Sequence, residues 1–327
     1  MVSVPVLLIT FNRPQYTQKV LEAILAAQPQ DLYVFQDGAR EGNAEDCVKC
    51  REVRQFVTSL TAGTRMQLHT FYSERNLGCG LGPASALDWF FRQVEQGIIL
   101  EDDCLPHPDF FPYCEELLEK YKSDERVGFI GGCNYGYHPD AAESYVFGSG
   151  HHQTWGWATW KRTWQSFDYY LSGFKTADFK IIIKSYYKSL RQQDYWMEIF
   201  RKVKENQMDA SCWDYQFYFS TWEKGMLAIC PRVNLVSNVG SGMDATHTNN
   251  QNNALLNRSS EIILPLIHPQ KIKHEWHMDD YLMRHFIIPY EYGLSGIKRL
   301  PFRINKRLKK LFGHEGPWMK KDKKPIL

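Results

Sequence analysis

The chain has 327 residues and a formal net charge of +2. Its length allows one large α/β domain, and its charge balance gives no overall argument for nucleic-acid binding. No apolar run is long enough to cross a bilayer, and the first residues lack the features of a signal peptide, so we expect a cytoplasmic protein.

The first hundred residues alternate between apolar runs and segments with helical periodicity. The apolar runs predict strands over 4–11, 31–39, 66–74 and 97–100, with helices between them over 15–27, 45–60 and 82–94. This order predicts an α/β fold with a Rossmann-like, mostly parallel sheet and helices on both faces. Ligands of such sheets bind at the carboxyl ends of the strands.

The second half of the chain is less regular. The patterns predict, in chain order, a helix over 108–121, a strand over 127–133, a loop rich in Trp and Gly that leads into a helix over 151–164, helices over 195–205 and 211–225, a strand over 226–231, and a polar, Gly-rich loop over 235–253.

Three adjacent acids, Glu101, Asp102 and Asp103, follow the fourth predicted strand. Like charges repel one another and lose hydration when buried, so such a run needs a positive partner. Carboxylate oxygens suit Mg²⁺ and Mn²⁺. Because side chains alternate along an extended segment, we expect Glu101 and Asp103 on one face and Asp102 on the other. The alternative is an acidic turn that faces solvent and binds nothing.

The segment IILEDDCLPHPDFFPYC, which contains these acids, resembles the metal-binding DxD-type motif of nucleotide-sugar-dependent glycosyltransferases with the GT-A fold. It is most similar to the N-acetylglucosaminyltransferases that begin complex N-glycans, and bacterial family-2 enzymes look alike at the same points. The resemblance extends over residues 4–248 and implies one GT-A domain over 1–295. Its nucleotide-binding half would be 1–103, its acceptor half 104–295, and a basic tail would follow over 296–327.

In such enzymes a metal bridges the two phosphates of the donor and neutralises the departing diphosphate. The resemblance implies that Asp103 binds Mn²⁺ or Mg²⁺ directly. Glu101 and Asp102 would contact the ribose, the sugar or metal-bound water. His247, in a Gly-rich loop, would complete the coordination, as a late His does in many GT-A enzymes; otherwise it lies in an ordinary loop.

Further residues at the predicted strand ends are candidates for binding the donor. Arg13 has the charge to reach a phosphate, and Asp37 has an acceptor for a uracil N–H or a ribose hydroxyl, although a plain Asp-Gly turn is the alternative. A Gly-rich turn before the third helix presents N–H groups to a phosphate or sugar. The donor-binding candidates are Thr10, Phe11, Asn12, Arg13, Asp37, Arg75, Asn76, Gly78, Glu101 and Asp102.

Inverting transfer needs a carboxylate that deprotonates the acceptor hydroxyl. We expect this base to be Asp214, in an aromatic setting; the alternative is an acid that interacts with the helix dipole. The acceptor and sugar wall would be Trp155, Gly156 and Trp157, unless these are core residues, and His151 and His152 are weaker acceptor candidates.

These patterns predict a metal-dependent, inverting glycosyltransferase that uses a UDP-linked sugar and a glycan, lipid-linked or protein-linked acceptor. One alternative is a sugar-phosphate nucleotidyltransferase, which is expected to carry a Gly-rich basic loop after the first strand; FNRP does not supply it. Another is a non-catalytic nucleotide- or glycan-binding protein. The basic tail is either a peripheral contact with the inner membrane face or a solvated helix. The oligomeric state is not predicted.

Overall fold

The computed structural model describes residues 2–139, 142–151, 154–205, 213–240 and 258–287. The chain divides into two compact units, one from residues 1–170 and 208–275 and the other from 171–207 and 276–327. None of the helices in these described ranges is long and apolar enough to cross a membrane. The predicted tail over 296–327 lies outside the described residues.

The first unit contains ten strands and six helices within the part of the chain that is described. The strands are β1 (Val6–Thr10), β2 (Asp31–Gln36), β3 (Gln67–Tyr72), β4 (Gln96–Glu101), β5 (Cys104–Pro106), β6 (Val127–Gly131), β7 (Tyr145–Gly148), β8 (Trp157–Trp160), β9 (Leu227–Pro231) and β10 (Val236–Asn238). The helices are α1 (Pro14–Ala26), α2 (Ala44–Thr61), α3 (Gly78–Phe91), α4 (Phe110–Lys120), α5 (Lys161–Trp164) and α8 (Asp214–Glu223).

Eight of these strands form one sheet in the order β3-β2-β1-β4-β8-β6-β9-β7. Strands β3, β2, β1 and β4 run parallel to one another, and β6 and β9 are parallel to each other. Strands β1 and β6 are buried throughout, and β2 and β4 are buried except at terminal residues, which is the reason that their sequences read as apolar runs. The predicted α/β fold with a mostly parallel sheet is therefore confirmed.

The sheet departs from the sequence-based expectation at β8. Residues 151–164 read as a loop that leads into a helix, but Trp157–Trp160 form a fully buried strand. This strand lies antiparallel between β4 and β6, with Ala158 opposite both Ile98 and Ile130. Trp and Thr favour strands, and the space between two buried strands selects that conformation over the helix.

A second, two-stranded sheet pairs β10 antiparallel with β5, with Ser237 opposite Leu105. Neither three-residue strand is visible in the sequence pattern, and β10 falls at the start of the predicted loop over 235–253. The remainder of that loop, residues 241–253, lies outside the described residues. This small sheet brings the chain that follows β10 against the acids that follow β4.

The second unit is helical within its described residues. It contains α6 (Thr176–Tyr186), α7 (Leu190–Lys204), α9 (Trp276–Leu282) and a π-helical turn (Met283–Ile287). Helices α6 and α7 pack through aromatic rings, with Phe179 and Phe200 stacked at a centroid distance of 5.8 Å. The predicted helix over 195–205 is present as part of α7, whereas α6 is not evident from the sequence.

Candidate functional site

A cavity of about 770 Å³ opens at the carboxyl ends of β1, β2 and β4, between the first turns of α1, α2 and α3. This is the edge at which parallel sheets bind ligands. Every predicted donor-binding residue except Arg75 lines it, and Arg75 is exposed outside it. The predicted residues that line the cavity are Thr10, Phe11, Asn12, Arg13, Asp37, Asn76, Gly78, Glu101 and Asp102.

Arg13 joins the ends of β1 and β4. Its Nη1 atom lies 2.9 Å from Oδ2 of Asp103 and 3.6 Å from Oδ1 of Asp102. The other Asp102 oxygen, Oδ2, accepts a hydrogen bond of 3.3 Å from the backbone N–H of Phe11. Strands β1 and β4 are adjacent, with Ile9 opposite Glu101. The residues that follow the two strands therefore lie close together, which brings the guanidinium of Arg13 near the acids.

The predicted alternation of the three acids does not hold. Strand β4 ends at Glu101, and Asp102 and Asp103 form a turn before β5 begins at Cys104. Side chains alternate only while the backbone is extended. The turn instead directs Asp102 and Asp103 toward the same guanidinium nitrogen.

The three acids lie close together, and the pKa values of Glu101 and Asp102 are raised. Burial raises the pKa of Glu101 to about 8, and the charges of Asp103 and Asp102 add to that shift. Burial also raises the pKa of Asp102, which the charge of Asp103 increases and Arg13 opposes. Although burial disfavours a charged guanidinium, the neighbouring acids raise the pKa of Arg13 above its usual value. A cation beside these acids would oppose the upward pKa shifts, because an opposite charge stabilises an ionised carboxylate.

The donor set fits a hard divalent cation. One guanidinium nitrogen already contacts both Asp102 and Asp103, so a single positive centre can reach both carboxylates. Mg²⁺ and similar ions are commonly held by one or two carboxylates, with water and substrate phosphates completing the coordination. No cluster of three or more His, Cys, Asp or Glu suited to a metal occurs among the described residues. The predicted ligand His247 lies outside them.

Gly240, which the sequence analysis did not single out, fixes the position of Asp103. The backbone N–H of Val239 donates a hydrogen bond of 2.8 Å to the carbonyl oxygen of Asp103. A Cβ atom on Gly240 would lie 2.4 Å from Oδ2 of Asp103 and 2.7 Å from its Cβ. Only a residue without a side chain leaves the Asp103 carboxylate in this place.

Asp37, at the end of β2, anchors the start of α3. Its Oδ1 accepts hydrogen bonds from the N–H groups of Gly38 and Leu77, and its Oδ2 accepts from the N–H of Gly78 and from Nδ2 of Asn76. Burial raises the pKa of Asp37, while the three backbone N–H groups act in the opposite direction. With four internal donors the carboxylate has little acceptor capacity left, so its main effect is to position Asn76 on the cavity wall.

This capping also explains where α3 begins. The sequence predicts a helix from residue 82, but α3 begins at Gly78 and contains Pro83. A carboxylate near the first N–H groups stabilises a helix N-terminus, and here Asp37 supplies it from another strand. The same carboxylate occupies the place where the Gly-rich turn was expected to bind a phosphate.

A buried carboxylate in the first turn of α2, Asp46, holds one side of the cavity. It accepts hydrogen bonds of 2.6 and 2.8 Å from Nε and Nη2 of Arg40, and one of 2.7 Å from Nδ2 of Asn12. The Arg40 hydrogen bond is the main reason that the pKa of Asp46 falls to about 2. Arg40 also lies over the ring of Phe11, at 5.7 Å from its centroid. Sequence reasoning missed both residues, since their pairing with Asn12 depends on the fold.

Asp214 is the first residue of α8, so it lies at a helix N-terminus, as the sequence predicts. The hydroxyl of Tyr218 donates to Oδ2 of Asp214 at 3.4 Å and lies 3.1 Å from Oγ1 of Thr154. The negative charge of Asp214 contributes to the raised pKa of Glu101, so the two carboxylates are close enough to repel each other.

The predicted Trp-Gly-Trp wall is divided between surface and core. Trp155 is partly exposed beside Tyr135, at a centroid distance of 5.6 Å. Trp157 is fully buried and stacks on Trp213. Gly156 has φ +64°, and a Cβ there would lie 2.6 Å from a methyl group of Val236, so its role is to let two segments pack closely.

Of the two histidines predicted as acceptor contacts, His151 alone lies among the described residues. His151 is fully buried, and its Nδ1 lies 2.7 Å from Oγ of Ser149. His152 lies outside the described residues.

No protein-family model matches the sequence, and no curated protein matches it significantly. Solved structures do match it. Apo UDP-glucose pyrophosphorylase has a TM-score of 0.36 at 11% identity and covers 71% of this chain and 90% of its own. The 4-diphosphocytidyl-2C-methyl-D-erythritol synthase of Anaerococcus prevotii has a TM-score of 0.34 at 10% identity, with coverages of 53% and 78%.

HddC from Yersinia pseudotuberculosis has a TM-score of 0.32 at 11% identity and covers 50% of this chain and 80% of its own. Likenesses at these values carry no argument about activity. They neither establish nor exclude the resemblance to glycosyltransferases.

Proposed function

We propose that the protein is a metal-dependent glycosyltransferase that moves a sugar from a nucleotide-sugar to an acceptor hydroxyl. The observation that carries this proposal is the convergence of Arg13, Asp102 and Asp103 beside a cavity of about 770 Å³ at the carboxyl ends of β1 and β4. Transfer from a nucleotide-sugar releases a diphosphate, and the charges that stabilise a departing diphosphate are a metal and a guanidinium.

The residues that line the cavity support a nucleotide-sugar as the donor. The nucleoside would lie against Phe11 and Asn12, which the Asp46 and Arg40 pair holds in place. Asp102 and Asp103 would hold Mn²⁺ or Mg²⁺, which when bound supplies Lewis-acid neutralisation of the diphosphate. Arg13 would contact a phosphate. We propose a UDP-linked donor, with residues 1–103 binding it and residues 104–295 binding a glycan, lipid-linked or protein-linked acceptor.

Asp214 would act as the base that takes the proton of the acceptor hydroxyl. It begins α8, receives a hydrogen bond from Tyr218, and interacts electrostatically with Glu101 at the metal side. We propose that this base acts on the face of the sugar opposite the leaving group, which would give inversion at the anomeric carbon. Trp155 would supply part of the acceptor surface.

A sugar-phosphate nucleotidyltransferase is the second candidate, and the names of two matched structures point in that direction. The chain after β1 argues against it. Residues Phe11–Pro14 contain no glycine, and α1 begins directly at Pro14, so β1 is not followed by a Gly-rich basic loop that could hold a nucleoside triphosphate. We therefore place glycosyl transfer first. A non-catalytic nucleotide-binding protein is the third candidate.

The three candidates give different products. The protein is first screened by thermal shift against UDP-, GDP- and dTDP-sugars with Mn²⁺, because a bound donor raises the midpoint of unfolding. The stabilising donor is then incubated with glycan acceptors, and release of nucleoside diphosphate is measured. In parallel, a nucleoside triphosphate with a sugar 1-phosphate is tested for release of pyrophosphate. Pyrophosphate alone assigns the second candidate, and no product in either assay assigns the third.

Two substitutions test the assigned roles. Asp214→Asn is expected to keep donor binding and lose turnover by at least about 100-fold, the usual scale for general-base catalysis. Asp103→Ala is expected to abolish Mn²⁺-dependent binding of UDP. Asp124→Asn, which removes a carboxylate paired with Arg126 on the surface, is the matched control and should change neither. Unchanged Mn²⁺-dependent binding in Asp103→Ala contradicts the proposed function.

A further inference from the structure

We propose that Arg13 and the divalent cation compete for Asp102 and Asp103, and that a nucleoside diphosphate ends the competition by drawing Arg13 onto its phosphates. The inference rests on the proposed function, and it makes Arg13 the residue that couples metal binding to donor binding. Metal and nucleotide would then each bind weakly alone and tightly together.

The positions of the atoms create the competition. Nη1 of Arg13 lies 2.9 Å from Asp103 Oδ2 and 3.6 Å from Asp102 Oδ1. Mg²⁺ binds carboxylate oxygens at about 2.0–2.1 Å, so a cation on Asp103 Oδ2 would lie within about 5 Å of Nη1, where two positive charges repel each other. The guanidinium and the metal therefore compete for these oxygens.

The ion pairs of Arg13 with Asp102 and Asp103 are largely buried, so breaking them costs free energy. The side chain of Arg13 is 20% exposed, and those of Asp102 and Asp103 are 10% and 17% exposed. Exposed ion pairs contribute little, whereas sheltered charges are costly to leave without a partner. A metal that displaces Arg13 on its own leaves the guanidinium without these carboxylates, and this cost weakens binding of the metal.

A diphosphate offers the displaced guanidinium a new partner. Arg carries five donors in a planar fork that matches phosphate oxygens, and such hydrogen bonds are among the stronger ones in proteins. Arg13 is the N-cap residue of α1 and lines the cavity, so it stands between the acids and the space proposed for the donor. Moving to the diphosphate restores its charge balance and leaves Asp102 and Asp103 to the metal.

In this exchange, the metal and the diphosphate affect each other's binding reciprocally. If the diphosphate strengthens metal binding by some factor, the metal strengthens diphosphate binding by the same factor, and coupled sites commonly show factors of about 5–150. The measurement is a titration of Mn²⁺ by electron paramagnetic resonance, which reports free Mn²⁺, with and without UDP. It uses the full chain and no turnover assay.

The decisive variant is Arg13→Gln, which removes the charge and the fork. It is expected to bind Mn²⁺ alone about 5–150-fold more tightly than the wild type, and UDP should strengthen its Mn²⁺ binding by a much smaller factor. Arg13→Lys keeps a charge but loses the fork. It is expected to change the affinity for Mn²⁺ alone and the effect of UDP in the same directions by smaller amounts. Arg13→Lys replaces Arg13→Gln in the test if the latter does not fold. Arg126→Gln, which breaks an Arg–Asp pair elsewhere, should behave as the wild type.

The outcomes separate the inference from the function on which it rests. If the wild type binds Mn²⁺ with UDP, but the Arg13 variants bind Mn²⁺ alone no more tightly than the wild type, the coupling role is wrong and the proposed function stands. If the wild type binds no Mn²⁺ even with UDP, both are wrong. Tighter Mn²⁺ binding in the variants with reduced coupling supports the inference.

Discussion

The position of Asp103 depends on the absence of a side chain at residue 240, and Gly240→Ala tests that dependence. A Cβ there would lie 2.4 Å from Asp103 Oδ2, 2.7 Å from its Cβ and 3.0 Å from its Cγ. Carbon and oxygen atoms pack at roughly 3.4 Å or more. The Asp103 carboxylate, or the backbone that follows β10, must therefore move by about 1 Å.

The expected effects follow from the size of this overlap. Inserting a methyl group into a packed site costs about 1–3 kcal/mol, so the free energy of unfolding should fall by about that amount. A displaced Asp103 no longer meets Arg13 or a metal at the present geometry. Changes in residues that orient metal ligands commonly reduce metal affinity about 10–100-fold, and we expect Mn²⁺ affinity in the presence of UDP to fall in that range.

The assay combines urea unfolding with the Mn²⁺ titration. Gly173→Ala is the control, because its Cβ would meet no atom within 4 Å, and it should change the free energy of unfolding by less than about 0.5 kcal/mol. If Gly240→Ala unfolds at the same urea concentration as the wild type and binds Mn²⁺ equally well, Gly240 does not hold Asp103 in place.

Three further predictions concern acids that are buried or half-buried. Asp37→Ala should lower the free energy of unfolding by about 3 kcal/mol in urea titrations, because it leaves N–H donors at the start of α3 without their acceptor; a change below about 0.5 kcal/mol would contradict the anchoring role. In metal-free protein, burial raises the pKa of Glu101 to about 8, so the wild type loses free energy of unfolding as pH rises from about 4.5 to 8. Glu101→Gln should match it near pH 4 and exceed it by about 1–2 kcal/mol at pH 8, whereas a pH-independent difference would refute this reasoning. The pKa of Asp46, lowered to about 2 chiefly by Arg40, predicts a contribution present above about pH 4 and lost toward pH 2. Asp46→Asn should therefore cost about 2 kcal/mol at pH 7 and much less at pH 2, as measured by urea unfolding at both pH values.

Local pattern predicts most of the first half of this fold. Strands β1, β2 and β4 are apolar runs because both sheet faces are covered, and burial of that kind is directly visible in sequence. Strand β8 is not predictable in this way. Its four residues fit a loop or a helix equally well until β4 and β6 flank them.

The same distinction applies to the candidate site. The sequence alone determined that polar residues end the apolar strands, because the order of strands and helices places those ends at one edge of a parallel sheet. Tertiary structure decided their pairing. Arg13 meets Asp103 across 90 positions of sequence, and Gly240 reaches the same carboxylate only because β10 pairs with β5. Periodicity records which residues are buried, whereas contacts between distant residues depend on how the strands are ordered and where the turns between them lie.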